Sequence, residues 1–242
     1  MLKLIHSILD PLKYTILHPQ WQANRHQRQS LKVTEAIKNS HILDIGSGNA
    51  DYHNALSSDN TLVTLDYPDT NERYRHCPVI YGTANALPFT DNRFDYTFLL
   101  EVLEHIELDR EAVGEAFRVL KPGGRLIVSV PFVYPSHDIP YDFRRYTAYG
   151  LKSILVQAGF SVISCRSKGN SLIASLQLLN MTLMEVTLKT LLAWKPLGLL
   201  VGLVTWPMTV LINIASAPLI PVSSLNAASL GHTAVAEKPV KG

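Results

Sequence analysis

Hydrophobic residues in this chain fall into three patterns. The first is a series of short apolar runs at residues 41–45, 61–66, 78–81, 94–100, 124–131 and 160–167. They are too short for buried helices and read as strands buried on both faces. The second pattern lies between them. From Asp109 to Leu120, Ala112, Val113, Ala116, Phe117 and Leu120 recur at helical spacing, with Arg110, Glu111, Glu115 and Arg118 on the opposite face. Pro122-Gly123-Gly124 is expected to stop that helix. Strand-like and helix-like segments alternate, which predicts an α/β fold: a mostly parallel sheet with helices on both faces. Ahead of the sheet, Trp21 to Lys38 predicts a helical lead-in, placed to cover an edge or the mouth of a site. The third pattern is an apolar stretch from Ser171 to Val222, with no Asp, Glu, Lys or Arg between Lys195 and Glu237.

Ligands of open α/β sheets sit outside the carboxyl ends of the strands, so the strand pattern doubles as a map of site loops. It selects Gly46 to Ala50, Asp66-Tyr67, Gly82 to Ala86, Glu101 to His105 and the loop from Pro131 to Tyr146, expected to face one crevice. The first of these, His41-Ile42-Leu43-Asp44-Ile45-Gly46-Ser47-Gly48, reads as strand, tight turn and helix opening. Glycines there admit positive φ and a close ligand, and helix N–H groups point at it. Asp66 stands twenty residues past Gly46 at the end of the next apolar run. A carboxylate at that place can accept hydrogen bonds from two ribose hydroxyls.

The 242 residues suffice for one large domain or a domain with an appendage. A net charge of +2, without a basic stripe interleaved with aromatics, gives nucleic acid no footing as a partner. Cys77 and Cys165 match no ligand spacing, fit reduced thiols in a cytosolic setting and receive no role. No metal is called for. An NAD-dependent oxidoreductase needs glycine three past Gly48, where Asp51 stands.

The series from Ile42 to Gly48, then Asp66, then Ala86-Leu87-Pro88-Phe89, Phe94-Asp95, Glu101-Val102-Leu103-Glu104-His105-Ile106 and Arg118-Val119-Leu120-Lys121-Pro122-Gly123-Gly124 resembles the class I S-adenosylmethionine-dependent methyltransferases. The resemblance covers about residues 40 to 168. It implies a Rossmann-like seven-stranded sheet whose last strand is antiparallel, and S-adenosyl-L-methionine as cofactor. The methionine part would lie over Gly46 to Gly48, the ribose on Asp66, and the adenine near Gly82 to Asn85. The implied contact set is Asp44, Gly46, Ser47, Gly48, Asp66, Tyr67, Thr83, Ala84, Asn85 and Glu101. Two positions depart from the family pattern: Ala50 stands at the third glycine, and Thr83 at the acid of the adenine loop. The run from Pro135 to Thr147 is similar to a subgroup associated with surface-polysaccharide and lipid-linked sugar pathways. A non-catalytic protein that binds the cofactor without turnover is the alternative.

Methyl transfer from a sulfonium is an in-line displacement, so the protein mostly aligns the acceptor, and a hydroxyl acceptor additionally needs a base. Candidates are His137, Asp138, Asp142 and His105, with His137 and Asp138 read together as a base and its orienting carboxylate. Tyr141, Arg144, Arg145 and Tyr146 are candidates for clamping an anionic acceptor; the other reading pairs Asp142 with one arginine to hold the loop. A small-molecule or lipid-linked acceptor is expected.

The tail His232 to Pro239 looks like the family's last strand, which divides the chain into a lead-in at 1–40, a methyltransferase domain at 41–170 with 232–242, and a hydrophobic helical insertion at 171–231. A strand in the catalytic sheet must stay on one side of a membrane, so the insertion crosses it twice or not at all. Gln177, Asn180, Glu185 and Lys189 argue against two crossings, and Pro207 beside Trp206 suggests a kinked or re-entrant segment. The expectation is a monotopic hairpin that holds a cytoplasmic domain on the cytoplasmic face of a membrane. A cap packed on the sheet, or one buried in a homodimer, is the alternative.

Overall fold

The computed structural model describes residues 10–48, 51–68, 77–219 and 227–240. Ala50, and residues 220–222 at the end of the apolar stretch, lie outside the described residues. The chain forms two compact units.

The larger unit comprises Ser30–Phe132, Ser136–Ser167 and Gly231–Gly242. Its strands are β1 (His41–Ile45), β2 (Thr61–Asp66), β3 (Ile80–Tyr81), β4 (Phe94–Leu100), β5 (Leu120–Pro131), β6 (Ser161–Lys168) and β7 (Gly231–Glu237). They make one seven-stranded sheet in the order β3-β2-β1-β4-β5-β7-β6. β3, β2, β1, β4 and β5 pair in parallel, and β7 runs antiparallel to β5. This is the Rossmann-like arrangement expected from the sequence. Successive residues of the central strands feed opposite faces: Leu43, Leu99, Leu126 and Val128 enter one apolar core, Ile42, Phe98 and Ile127 the other. The first core is closed by α2 (Asp109–Val119) and α3 (Ala148–Gln157), through Ala112, Val113, Ala116, Leu151 and Leu155. Thr147 caps α3 by accepting the Gly150 N–H at 3.0 Å.

Three boundaries differ from the pattern. α2 ends at Val119, one residue early, and Pro122-Gly123-Gly124 lies inside β5, where the register against β4 shifts between Phe94 and Tyr96. The Pro-Gly-Gly therefore makes a bulge and does not stop the helix; a Cβ on Gly124 would lie 2.8 Å from the Lys121 carbonyl oxygen. β3 is two residues long. The lead-in helix, α1, spans Trp21–Ser30 and tightens into a 3-10 turn at Leu31–Thr34, where the Thr34 hydroxyl donates to the Leu31 carbonyl at 2.8 Å.

The second unit comprises Met1–Gln29, Val133–Pro135 and Lys168–Leu230. Two long helices, α4 (Ser171–Ala193) and α5 (Lys195–Ser216), form a hairpin turning at Trp194. Gly198 permits the close approach near the turn, since a Cβ there would meet the Leu191 backbone at 2.2 Å. Several polar side chains of the hairpin point inward, while Glu185 and Lys189 form an exposed ion pair at 2.6 Å. Asn180 donates to Asn213 at 2.9 Å, the Thr187 and Thr205 hydroxyls share a bond at 2.7 Å, and Gln177 donates to the Pro19 carbonyl at 3.0 Å. Asn213 reaches the carbonyls of Ile16 and His18 at 2.8 and 3.0 Å, and Gln22 bonds Ser216. Lead-in and insertion thus form one unit, where the sequence suggested separate pieces. Outward stand Leu199, Leu203 and Leu211, at 64%, 75% and 64% exposure.

Candidate active site

The turn after β1 is fixed to β2 by its backbone. Gly46 and Ser47 N–H groups donate to the Leu65 carbonyl at 2.8 and 3.3 Å, and the Gly48 N–H donates to Asp66 Oδ2 at 2.7 Å. Gly46 has φ of 75° and a Cβ on it would strike Val102 at 2.5 Å, whereas a Cβ on Gly48, at φ of 51°, would meet nothing within 4 Å. The loop therefore requires glycine for the fold at the first position and opens onto free space at the second. The Asp66 carboxylate, 7% exposed, also accepts the Tyr67 N–H at 2.8 Å and retains acceptor capacity on both oxygens. Asp44, fully buried, accepts from the Tyr52 hydroxyl and lies 2.6 Å from His53 Nε2 through its Oδ2. Its Oδ1 and the Ser47 hydroxyl are buried with no hydrogen-bond partner among the described residues. Open space at Gly48, an acid beside it and two orphaned polar atoms fit the amino-acid and ribose parts of S-adenosylmethionine.

The loop expected to border the adenine follows β3. Gly82 donates to the Asp66 carbonyl at 3.0 Å, and Thr83 and Ala86 form an antiparallel bridge enclosing Ala84 and Asn85. Asn85 donates to the Leu108 carbonyl at 2.6 Å. The segment behind the loop is clamped from α2. Arg118 donates to the carbonyls of Leu87 and Phe89 and to Asp91 and Glu115, and Glu115 accepts the Leu87 N–H at 2.7 Å. Glu101, past the end of β4, takes φ of 57° and accepts from the Ser129 hydroxyl at 2.5 Å. A left-handed glutamate at a strand end is uncommon and marks a position held for its side chain.

The acceptor side is built from the turn at Leu103–His105 and the loop beyond β5. His105 Nδ1 faces the Tyr141 carbonyl at 2.8 Å, and its ring meets that of His137 edge-on at 4.8 Å. Burial lowers the His105 pKa below its ordinary value; the Tyr141 carbonyl opposes that shift. The carboxylate beside His137 is Asp142, at 3.5 Å from Nδ1, and Asp142 also accepts the His137 N–H at 2.9 Å. Asp138, read together with His137 from the sequence, also faces His105. At φ of 50° the chain reverses, and its Oδ2 lies 4.0 Å from His105 Nε2. Asp142 itself is unsuited to act as a base. Burial would raise its pKa, but Arg145, in two bonds of 2.6 and 2.7 Å, and the His137 amide hold it down to about 2.

The residues considered for an acceptor clamp are largely engaged in the loop. Arg144 donates to the carbonyls of Ile106 and Glu107 at 2.8 Å each and faces Asp109. Tyr146, 7% exposed, donates to Asp109 at 2.7 Å, and burial there raises its pKa well above the usual phenol value. Arg145 holds Asp142, the loop-holding alternative, so of the four only Tyr141 is mainly exposed to solvent. Three participants were given no role from the sequence, Glu104 appearing there only within the Glu101 to Ile106 motif. Tyr52 and His53 reach Asp44 from a 3-10 turn, and Glu104, fully buried, faces His105 at 3.8 Å.

Residues 43–128 match a family model described as a methyltransferase domain. A protein of Mycolicibacterium smegmatis described as a probable S-adenosylmethionine-dependent methyltransferase is 29% identical over 57% of this chain and 58% of its own length. A demethylmenaquinone methyltransferase of Listeria monocytogenes is 27% identical over 46% of this chain and 50% of its own. The chain thus spans between half and three-fifths of these two relatives. Among solved structures, the cyclase SpnF superposes with a TM-score of 0.57 at 19% identity, covering 90% of this chain and 82% of that one, a likeness of fold.

Proposed function

We propose that this chain, which carries a class I S-adenosylmethionine-dependent methyltransferase domain, is an enzyme that methylates a small-molecule or lipid-linked acceptor at the cytoplasmic face of a membrane. The observation carrying the reading is the Gly46–Gly48 turn with Asp66 locked to the Gly48 amide. S-adenosylmethionine, when bound, supplies a methyl group already activated on sulfur. Asp66 would accept the ribose hydroxyls, Gly46 to Gly48 with Asp44 would receive the amino-acid end, and Thr83 to Asn85 would border the base. His105 and His137 stand on the carboxyl-end loops of β4 and β5, where an acceptor hydroxyl would lose its proton. The His105 ring, kept neutral by burial, suits that task.

Two observations support an apolar or lipid-linked acceptor: the relative named for demethylmenaquinone and the outward apolar faces of α4 and α5. Both helices are long and apolar enough to cross a membrane, and only 22% and 17% of their most apolar windows are buried within the chain. A core helix of a soluble domain would be mostly buried. Of the residues that argued against two crossings, Gln177 and Asn180 are turned inward, whereas Glu185 and Lys189 stay exposed as an ion pair at 2.6 Å and keep a polar edge on α4, as a helix lying in the interface would have.

Titration calorimetry with S-adenosylmethionine and its demethylated product tests the cofactor, and transfer of a labelled methyl group into lipid and polar cell extracts tests the reaction. Binding of both ligands with label in an extract fraction is expected. Heat from NAD but from neither ligand overturns the reading, and binding without transfer favours a non-catalytic partner.

A further inference from the structure

The acceptor side gathers more metal-ligating atoms than proton transfer alone needs. We propose that Glu104, His105 and His137, with Asp138 as a fourth donor, form a binding site for a divalent transition-metal ion of the zinc, cobalt or iron class. One ligand atom from each of Glu104, His105 and His137 lies within 4.8 Å of the others. His105 Nε2 is 3.8 Å from Glu104 Oε1 and 4.0 Å from Asp138 Oδ2. These two separations are longer than hydrogen bonds. They match donors that face a common ion, since ligands about 2.0–2.2 Å from a metal lie roughly 3 to 4 Å apart. The longest separation closes by less than about 1 Å, within the reach of ordinary rotamer adjustment.

The surroundings orient the donors as metal sites require. A ligating imidazole directs its other nitrogen at a carbonyl or carboxylate. His105 does so through Nδ1 to the Tyr141 carbonyl at 2.8 Å, which leaves Nε2 with its lone pair toward the carboxylates. His137 places Nδ1 3.5 Å from Asp142, whose carboxylate is in turn held by Arg145. Glu104 is fully buried and His105 and His137 are part-buried, and a cation between them would add to the Arg145 guanidinium, which interacts with Glu104 electrostatically, in offsetting a charge removed from water. Two imidazoles with two carboxylates select a borderline ion over magnesium or calcium, which prefer all-oxygen shells. Glu104 and His105 are adjacent in the chain, whereas His137 lies more than thirty residues on. No short spacing motif announces the set.

With the ion bound, His105 and His137 would serve as ligands and not as the base; the ion would act as a Lewis acid that binds an acceptor oxygen and lowers its pKa, so that a hydroxyl gives its proton to solvent water and is presented as an alkoxide or phenolate. This role, unlike the site, rests on the methyltransferase reading. Binding is therefore tested on the full-length chain without S-adenosylmethionine, after chelator treatment, by titration with CoCl2 followed by calorimetry and visible absorbance. One site per chain is expected, with cobalt ligand-field bands that ZnCl2 abolishes. The double variant H105A/H137A should lose the bands and weaken the site at least 100-fold. E104Q should weaken it tenfold or more. If the double variant does not keep the wild-type circular dichroism, H105Q and H137Q singly replace it, each expected to weaken cobalt tenfold or more. Absence of a stoichiometric site in the wild type, or its survival in the variants, overturns the proposal and leaves cofactor binding untouched.

Discussion

The places of Asp66 and Gly46 were legible because they depend on what a single position permits: glycine at positive φ in a tight turn, a carboxylate at a strand end. Replacing Asp66 with Ala should weaken S-adenosylmethionine by about 1–3 kcal/mol, the cost of leaving hydroxyls without a charged acceptor, as calorimetry will read. The contact of His137 with Asp142 was not legible, since Asp138 is its neighbour in sequence and Asp142, held by Arg145, reaches it only through the fold of the loop. His26, 7% exposed on α1, offers a pH test. Burial foremost, then Arg25 and Lys168, lower its pKa from 6.5 to about 4. Between those values the unfolded chain binds a proton that the folded chain refuses, so stability falls as pH falls from about 6.5 to 4, by up to about 3 kcal/mol. Urea melts at pH 7 and pH 4.5 should show the loss, and His26→Gln should flatten it.

At the scale of elements, the strands were readable because runs buried on both faces have no competing pattern, and β1, β2 and β4 fall where the runs lie. The Pro-Gly-Gly after α2 was misread as a stop because a bulge uses the same residues as a terminator, and only pairing with β4 tells them apart. α2 does more than cover the sheet. Its Arg118, tied to Glu115, grips the segment behind the adenine loop. Arg118→Met should lower unfolding stability by about 2 kcal/mol and weaken the cofactor through its base, measured by melts and calorimetry. The exposed faces of α4 and α5 make a separate claim. Each exposed leucine placed in lipid is worth about 1.5–3 kcal/mol, so L199E/L203E should abolish flotation with lipid vesicles that carry the wild type. Equal flotation of both proteins would count against the anchor, and a wild-type dimer dispersed by the same change would favour self-association.

For the whole molecule, sheet and apolar stretch were each foreseeable, but the joining of lead-in and hairpin was not. It rests on Asn213, Gln177 and Gln22 meeting backbone and side chains 197, 158 and 194 residues away, and single polar residues in an apolar run give no hint of partner. The place of β7 has a consequence in time. It is the last strand made, yet it sits between β5 and β6 in the sheet. During synthesis β5 and β6 wait with open edges until the hairpin has left the ribosome, and open edges invite aggregation. A chain ending at Leu230 should accordingly expose both edges and elute as aggregate in size exclusion. On the anchoring proposed above, the growing chain would offer its apolar hairpin to a bilayer while the sheet is still unfinished, since the strand that completes the sheet is translated only after α4 and α5.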